Sequence, residues 1–304
     1  MESYDLIIIG AGPAGITAGI YATRKSIKTL LLTKDFVGQV GTTSEIKNWP
    51  GEISISGIEL MKKLQNHLKE HQIDIKENEE VAKVEKNEQG FIIKTKTQEF
   101  SAKSVIIATG RSPRKLGITG EKEFSGKGVS YCVICDGPLF KDGRVAVIGG
   151  GNAGFEAALE LSKYTKQVFL IEREKDVLAD NVLQEKAREA GNIEIHTNKE
   201  AEQVQGNVMV EKLVCHDRET NEKIEFAVSG IFIEIGGVPA GEYLKDIVEF
   251  NEIGEVKVNS ETCETSSPGL FAAGDINSKK WNQIITAAAD GARAALAVYE
   301  FLNK

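Results

Sequence analysis

At 304 residues, 41% hydrophobic and 27% charged, the chain has the composition of an ordinary globular protein long enough for two cored domains. A formal charge of −8 argues against nucleic acid or an anionic membrane as partner, because phosphate contacts need clustered Lys and Arg. The amino terminus, "MESYDLIIIG", carries acids where a secretory signal carries bases, and Gly10, Gly12 and Pro13 break its apolar run, so a cytoplasmic protein without a membrane span is expected.

The first element is a strand. Residues 4–15 read "YDLIIIGAGPAG", an apolar run into Gly10, Gly12 and Gly15, followed by a helical stretch from Ile16 to Arg24. This is the G-x-G-x-x-G spacing between a strand and a helix, the setting that gives it meaning. The first glycine permits the tight turn, the second admits a pyrophosphate to the backbone, and the third lets helix and strand pack. The helix N-terminus then faces the phosphates. His67 and His71, in "HLKEH", are four apart on an amphipathic helix among lysines and glutamates, and read as solvent-facing; no metal is expected. The run "IKENEEVAKVEKNEQ" is a charged surface strand and loop, and "SVIIATGRSP" (104–113) is a buried-type strand that stops at Gly110.

Next comes "YCVICDGPLF" (131–140). The chain has only four cysteines, too few for a disulfide framework. Cys215 and Cys263 stand alone and read as small half-buried hydrophobes. Cys132 and Cys135, three apart, are redox-active or half of a zinc site, and no second ligand pair has finger-like spacing. Residues 144–154, "RVAVIGGGNAG", then repeat the opening signature with Gly149, Gly151 and Gly154. A second returning strand, "GIFIEIGGVP" (230–239), again stops at glycine. "GLFAAGDI" (269–276) supplies another strand, and the helix "NQIITAAADGARAALAVYEFL" closes the chain.

The fold expected is α/β: two Rossmann-like dinucleotide-binding domains of three-layer ββα type, the second inserted into the first. The outer domain covers 1–112 and 242–304, and the inserted one 113–241. The Gly- and Pro-containing stretches 111–114 and 237–241 look like the two crossings of a hinge. In this arrangement the amino-terminal loop ordinarily holds FAD and the inserted one a nicotinamide. Asp275, directly after an apolar strand, is placed to accept from ribityl hydroxyls. The helix that starts near Gln283 would turn its positive end to the charge that gathers on a reduced flavin, and its alanine face would allow close approach or simple core packing.

The set "GAGPAG", "TTSEIKNWPG", "ATG", "CVICDG", "GGGNAG", "GLFAAGD" and "NQIITAAADGA", in this order, resembles the low-molecular-weight thioredoxin reductases over essentially the whole chain. The tract "CDGPLFKDGRVAVIGGGNAGFEAALEL" is similar, more closely still, to the flavoprotein component of bacterial alkyl hydroperoxide reductase. That component carries an extra amino-terminal thioredoxin-like module. This chain begins at the FAD strand, so such a module is expected to be a separate protein.

The resemblance implies FAD contacts from Gly10, Gly12, Pro13, Ala14, Gly15, Gln39, Asn48, Thr109, Gly110, Gly274, Asp275, Gln283 and Ile284. It implies nicotinamide-nucleotide contacts from Gly149, Gly151, Asn152, Ala153, Gly154, Glu172 and Arg173. It also implies that Cys135 faces the flavin, that Cys132 attacks the disulfide of a thioredoxin or glutaredoxin-like protein, and that Asp136 moves a proton on the flavin side. Helix N-capping is the blander role for Asp136. The family generally forms homodimers. Because Cys135 lies 14 residues before Gly149, the redox pair and the nicotinamide site ride on one domain, and two domain orientations are expected.

The chain departs from that family in "VFLIEREKDVLAD". NADPH users place His-Arg-Arg and a further Arg here. This chain has Glu172, Arg173, Glu174 and Leu178. Glu172, 23 residues after Gly149, is where an acid accepts from a ribose 2′-hydroxyl and repels a phosphate, so NADH is favoured over NADPH, while Arg173 keeps one of the family's cations. Loss of the His-Arg-Arg set also resembles reductases that take electrons from reduced ferredoxin. On the flavin side, "KTLLLTKDFVGQVG" offers Thr33, Lys34 and Asp35 where a generic fingerprint has Glu, and a single glycine precedes Gln39. Two other readings stay open: the reductase half of a peroxide-removing system, and a flavin-containing redox sensor.

Overall fold

The computed structural model describes residues 2–43 and 46–304; Met1, and Ser44 and Glu45 of the "TTSEIKNWPG" stretch, lie outside the described residues. Two compact units emerge, one made of the residues through Ser112 together with Val238–Lys304, the other of Pro113–Gly237. The return crossing therefore falls between Gly237 and Val238, inside the expected 237–241 stretch and four residues before the expected domain boundary. Gly241 belongs to the first unit because it packs there: a Cβ on it would lie 3.0 Å from Ile276 Cδ1. The two crossings, Arg111–Pro113 and Gly237–Pro239, pair as a two-stranded ribbon.

In the first unit, strands Asp74–Lys76, Thr29–Leu32, Glu2–Ile9 and Glu99–Ile107 run parallel, in that order. Gly90–Thr95 and Val81–Asn87 extend the sheet antiparallel, and Leu270–Ala272 pairs parallel with the end of Glu99–Ile107. From Leu6 to Ile9 the opening strand is apolar at every position because both of its faces are covered there. Leu6 and Ile8 pack with Ile16, Ala18, Ala294 and Val298 of the two flanking helices, while Ile7 and Ile9 pack with Val84, Phe91, Leu244 and Val256 on the other side. The first helix runs Pro13–Arg24, three residues longer at its start than the expected Ile16. Pro13 explains this, since a proline at the first helical position lacks only an N–H that would be unpaired anyway. The closing helix is Ile284–Leu302 with Gln283 as its N-cap. Much of its small-residue face serves packing: Ala294 and Ala295 are buried, and a Cβ on Gly291 would lie 2.0 Å from the Ala14 carbonyl oxygen of the first helix.

The second unit repeats the plan. Its parallel sheet has the order Ile193–His196, Gln167–Ile171, Arg144–Ile148, Gly230–Ile233, Val129–Ser130. Val145 and Val147 meet Phe155, Ala158 and Leu161 of helix Asn152–Ser162. Ala146 and Ile148 meet Leu213, Cys215 and Phe226 of a three-stranded antiparallel sheet, Lys199–Gly206, Val210–Asp217 and Lys223–Ala227. Helices, parallel sheet and small sheet form the three layers. Each fully buried aliphatic side chain here contributes roughly 1.5–3 kcal/mol.

Candidate functional site

Both glycine loops have a shape that only glycine permits at two points, and at the third glycine each leaves one side clear. In the first unit Gly10 has φ +107°, and a Cβ on it would lie 2.4 Å from the Ala108 carbonyl oxygen; on Gly15 it would lie 1.9 Å from the Gly10 carbonyl oxygen. On Gly12 it would meet nothing within 4 Å. In the second unit Gly149 has φ +128° and meets the Glu234 carbonyl oxygen at 2.4 Å, Gly154 meets that of Gly149 at 1.8 Å, and Gly151 is again clear. The helices begin at Pro13 and Asn152, directly after the clear glycines. Each loop therefore combines a close helix–strand approach with an open backbone at a helix N-terminus, which fits the pyrophosphate of a dinucleotide.

Of the residues expected to contact FAD, Gly10, Thr109, Gly110, Gly274 and Asp275 follow the C-terminal ends of parallel strands of the first unit, the end at which ligands bind in this architecture. Asn48 and Gln283, 235 residues apart, are joined by a hydrogen bond from Asn48 Nδ2 to Gln283 Oε1 at 3.1 Å. Ile284 packs with Ile46, Trp49, Ile55 and Leu60. Thr109 Oγ1 donates to the Ala240 carbonyl at 2.8 Å, and the Ala240 N–H donates to the Gly110 carbonyl at 3.0 Å, fixing the "ATG" turn. Gly274 has φ +77° and lies against Ala14 and Ala287. Burial raises the Asp275 carboxyl above its ordinary range, with the Arg111 charge opposing. Gln39 is exposed in the short helix Gly38–Gly41. The loop before it is held by Asp35, whose Oδ1 accepts from the Val37 and Gly38 N–H groups at 2.9 and 3.0 Å, and the single glycine, Gly38, has φ +51°.

In the second unit Glu172 lies over the glycine loop. Its Oε2 accepts from the Gly150 N–H at 2.6 Å and its Oε1 from the Glu174 N–H at 2.8 Å. Each oxygen keeps a lone pair that a ribose hydroxyl can use, and the carboxylate still disfavours a phosphate. Arg173 donates from Nε to Glu174 Oε1 at 3.0 Å and lies 3.8 Å from Glu200. A second guanidinium shares this cluster: Arg218 reaches the Arg173 carbonyl at 3.0 Å and Glu174 at 3.3 Å. Asn152 pairs reciprocally with Asp180, donating to its carboxylate at 3.0 Å and accepting from its N–H at 2.8 Å, while Ala153 is exposed.

Two further carboxylates flank this loop. Burial pushes Glu234 up to about 7, with Glu156 adding like-charge repulsion. Folding thus takes up a proton at Glu234 between the ordinary carboxylate range and about pH 7, so its contribution to stability is lost as pH rises through that window. Glu234→Gln is expected to raise the thermal midpoint at pH 8 by a few degrees and to change it little at pH 4. Melting curves at the two pH values check this; an unchanged midpoint at pH 8 refutes it.

The redox pair sits in the second unit. Cys132 and Cys135 form a disulfide with Cα atoms 5.3 Å apart, Cys135 exposed and Cys132 half-buried. Cys132 is the N-cap of the single turn Val133–Asp136, and its sulfur accepts from the Cys135 N–H at 3.2 Å. Asp136 precedes the 3₁₀ turn Gly137–Phe140 without a side-chain cap. Its Oδ2 accepts from the Ser130 hydroxyl at 2.6 Å instead, and the Cys132 N–H donates to that same hydroxyl at 3.0 Å. On the other flank Tyr131 donates to Glu121 at 2.6 Å. Burial opposes ionisation of Glu121, but bonds from Tyr131 and from the Leu116 and Gly117 N–H groups outweigh it and hold its carboxyl below the ordinary range. The pair is therefore built on a short stretch fixed at both ends. Sequence reasoning missed Ser130, Glu121 and Arg218. The first was open to it, two residues before Cys132; the others arrive through tertiary folding.

Cys215 and Cys263 are wholly buried rather than half-buried, and burial raises both thiols. The rings of His67 and His71 lie side by side, tilted at 47° with 5.6 Å between centroids. Among the described residues no cluster of three or more His, Cys, Asp or Glu could hold a metal ion, and no helix is long and apolar enough to cross a membrane.

Comparison with known proteins places these features in a family. The profile described as pyridine nucleotide-disulphide oxidoreductase matches residues 4–291. A component of the alkyl hydroperoxide reductase of Pseudomonas putida is 40% identical over 305 residues, which are 99% of this chain and 58% of that protein. An NADH dehydrogenase of Bacillus subtilis is 39% identical over 308 residues, 99% of this chain and 59% of that protein. The chain thus spans about three-fifths of the length of these curated relatives. Among solved structures, the thioredoxin reductase of Lactococcus lactis is 37% identical and superimposes with a TM-score of 0.91 over 99% of both chains.

Proposed function

The chain belongs to the pyridine nucleotide-disulphide oxidoreductases, and from that we propose that it is a flavin-dependent disulfide reductase of the thioredoxin reductase type, drawing on FAD and NAD(P)H and acting on a thioredoxin-like protein. The observation that carries this reading is the Cys132–Cys135 disulfide, with Cys135 exposed, in the unit that also bears the second glycine loop. FAD supplies a carrier that accepts electron pairs from a nicotinamide and gives them to a disulfide.

The chain's own residues do the rest. Gly10, Gly12, Gly15, Thr109, Gly110, Gly274 and Asp275, with Asn48 and Gln283, bind and orient FAD in the first unit. Gly149, Gly151, Gly154 and Glu172 seat the nicotinamide nucleotide in the second. The crossings at 111–114 and 237–241 serve as the hinge that lets the redox pair meet flavin and partner in turn. Once the pair is reduced, the Cys132 thiolate attacks one sulfur of the partner's disulfide. Cys135 then attacks Cys132, re-forming the internal disulfide and releasing the partner as a dithiol. Asp136 accepts the proton that Cys135 loses and returns one when the pair is next opened. By resemblance, the setting is the cytoplasm and the assembly a homodimer.

NADH is the donor we favour. Glu172 disfavours a 2′-phosphate, and Arg173, the one cation retained, is already engaged by Glu174 and Glu200. An anaerobic titration of flavin absorbance tests this: NADH is expected to bleach the flavin at concentrations at least tenfold below those NADPH requires. Bleaching by reduced ferredoxin alone would replace the donor and leave the disulfide chemistry in place. Multiple turnover with a thioredoxin-like acceptor excludes a sensor, and acceleration only in the presence of a peroxiredoxin would point to a peroxide-removing system.

A further inference from the structure

Three groups converge on the hydroxyl of Ser130, a residue 5% exposed at the end of strand Val129–Ser130 and opposite Phe232 of the neighbouring strand. The Cys132 N–H donates to Oγ at 3.0 Å, Asp136 Oδ2 lies 2.6 Å from it, and the Cys132 carbonyl oxygen 3.3 Å. A hydroxyl has one proton and two lone pairs, so it can donate to only one of the two oxygens at a time. With Asp136 ionised, the shorter, charge-assisted bond takes that proton. With Asp136 protonated, its own O–H donates to Oγ and the serine proton turns to the Cys132 carbonyl. Both protonation states leave every group paired, which matters because an unpaired buried polar group is costly.

We propose that Ser130 is a positioning residue for the dithiol chemistry, the hydroxyl that lets Asp136 hold and release a proton beside Cys132–Cys135 without moving. When a thiolate attacks the pair, one S–S bond breaks, a mixed disulfide forms, and the leaving sulfur carries the electron pair away. Asp136 gives its proton to that sulfur and becomes a carboxylate, and the Ser130 proton swings from the Cys132 carbonyl to Oδ2 to meet the new charge. Reoxidation runs the same exchange backwards. The inference rests on the reading of Asp136 as the proton carrier for the pair.

The test opens the disulfide of the purified, FAD-loaded chain with dithiothreitol at one fixed pH and reagent concentration and follows the released cysteines by alkylation and mass measurement. Asp136→Asn is expected to slow opening at least tenfold. Ser130→Ala should slow it by about fivefold to tenfold, because the carboxylate that forms has lost a donor; Ser130→Thr, which keeps the hydroxyl, should restore the rate. Combined with Asp136→Asn, Ser130→Ala should slow opening no further, because the two groups act as one. Flavin content and melting curves report folding, and Ser130→Gly, which also removes the hydroxyl, gives the same reading should the alanine variant not fold. Opening that is as fast without the hydroxyl as with it, while Asp136→Asn is slow, overturns the role of Ser130 and leaves that of Asp136. Opening at the parent rate in Asp136→Asn overturns both.

Discussion

Replacing Cys132 and Cys135 together by serine is expected to lower turnover with a thioredoxin-like disulfide by at least about a thousandfold, with flavin content unchanged. No other sulfur in the chain can substitute. Cys215 is 0% exposed, and burial pushes its thiol up to about 12, so almost none of it is thiolate at neutral pH. Cys263 is equally buried; burial and the nearby Asp290 raise its thiol, and Lys279, 3.1 Å from its sulfur, only partly offsets this. The fold should tolerate the change, because the disulfide closes only residues 132–135 and so small a ring contributes roughly 2 kcal/mol at most. Steady-state turnover, flavin absorbance and a melting curve on the same preparation check all three parts. Activity within tenfold of the parent chain would mean that the electrons leave by another route, and the assignment of the pair would fall.

What could be read from the chain and what could not divides along a physical line. "LIII" (6–9) and "VAVI" (145–148) announced two parallel-sheet cores because a stretch covered on both faces is apolar at every position, and the structure covers both faces of each. The glycines announced loops because part of their spacing records contacts within one strand-turn-helix unit, Gly15 against Gly10 and Gly154 against Gly149, although Gly10 and Gly149 also face the distant Ala108 and Glu234. The same holds for the cysteine pair, whose partners Ser130 and Asp136 lie within six residues of one another. Relations set by distant segments left no such trace. The Asn48–Gln283 bond joins residues whose separate roles could be anticipated from resemblance, though not their contact. Arg218 enters the Glu174 cluster from the turn between two antiparallel strands, and no periodicity of its own segment points there. The later start expected for the first helix came from beginning it after the third glycine, Gly15, whereas Pro13 at the first helical position already initiates it.

The glycine loops allow binding and folding to be separated by single methyl groups. Gly12 has φ −72° and ψ −177°, an extended backbone that any residue adopts, and a Cβ there meets no protein atom within 4 Å. Gly12→Ala should therefore leave the melting point of the apoprotein within about 2 °C of the parent. The methyl would, however, stand on the open side where the pyrophosphate must reach the backbone, so flavin content after purification should fall at least tenfold. Gly15→Ala is the opposite case. Its Cβ would sit 1.9 Å from the Gly10 carbonyl oxygen, a backbone atom that cannot yield without prising helix Pro13–Arg24 from its strand. A loss of about 3 kcal/mol or more, or failure to fold, is expected. The second unit supplies an internal control. Gly151→Ala, with φ −88°, ψ −178° and an equally clear Cβ, should keep the flavin and the fold but weaken nicotinamide-nucleotide binding by at least tenfold, whereas Gly154→Ala, 1.8 Å from the Gly149 carbonyl oxygen, should unfold the unit. Flavin absorbance, calorimetric titration with NADH and melting curves read the four variants independently. A Gly12→Ala protein that stays fully yellow would show that the first loop is not where the FAD pyrophosphate rests, because nothing else in that loop is close enough to absorb a methyl group at the phosphate's expense.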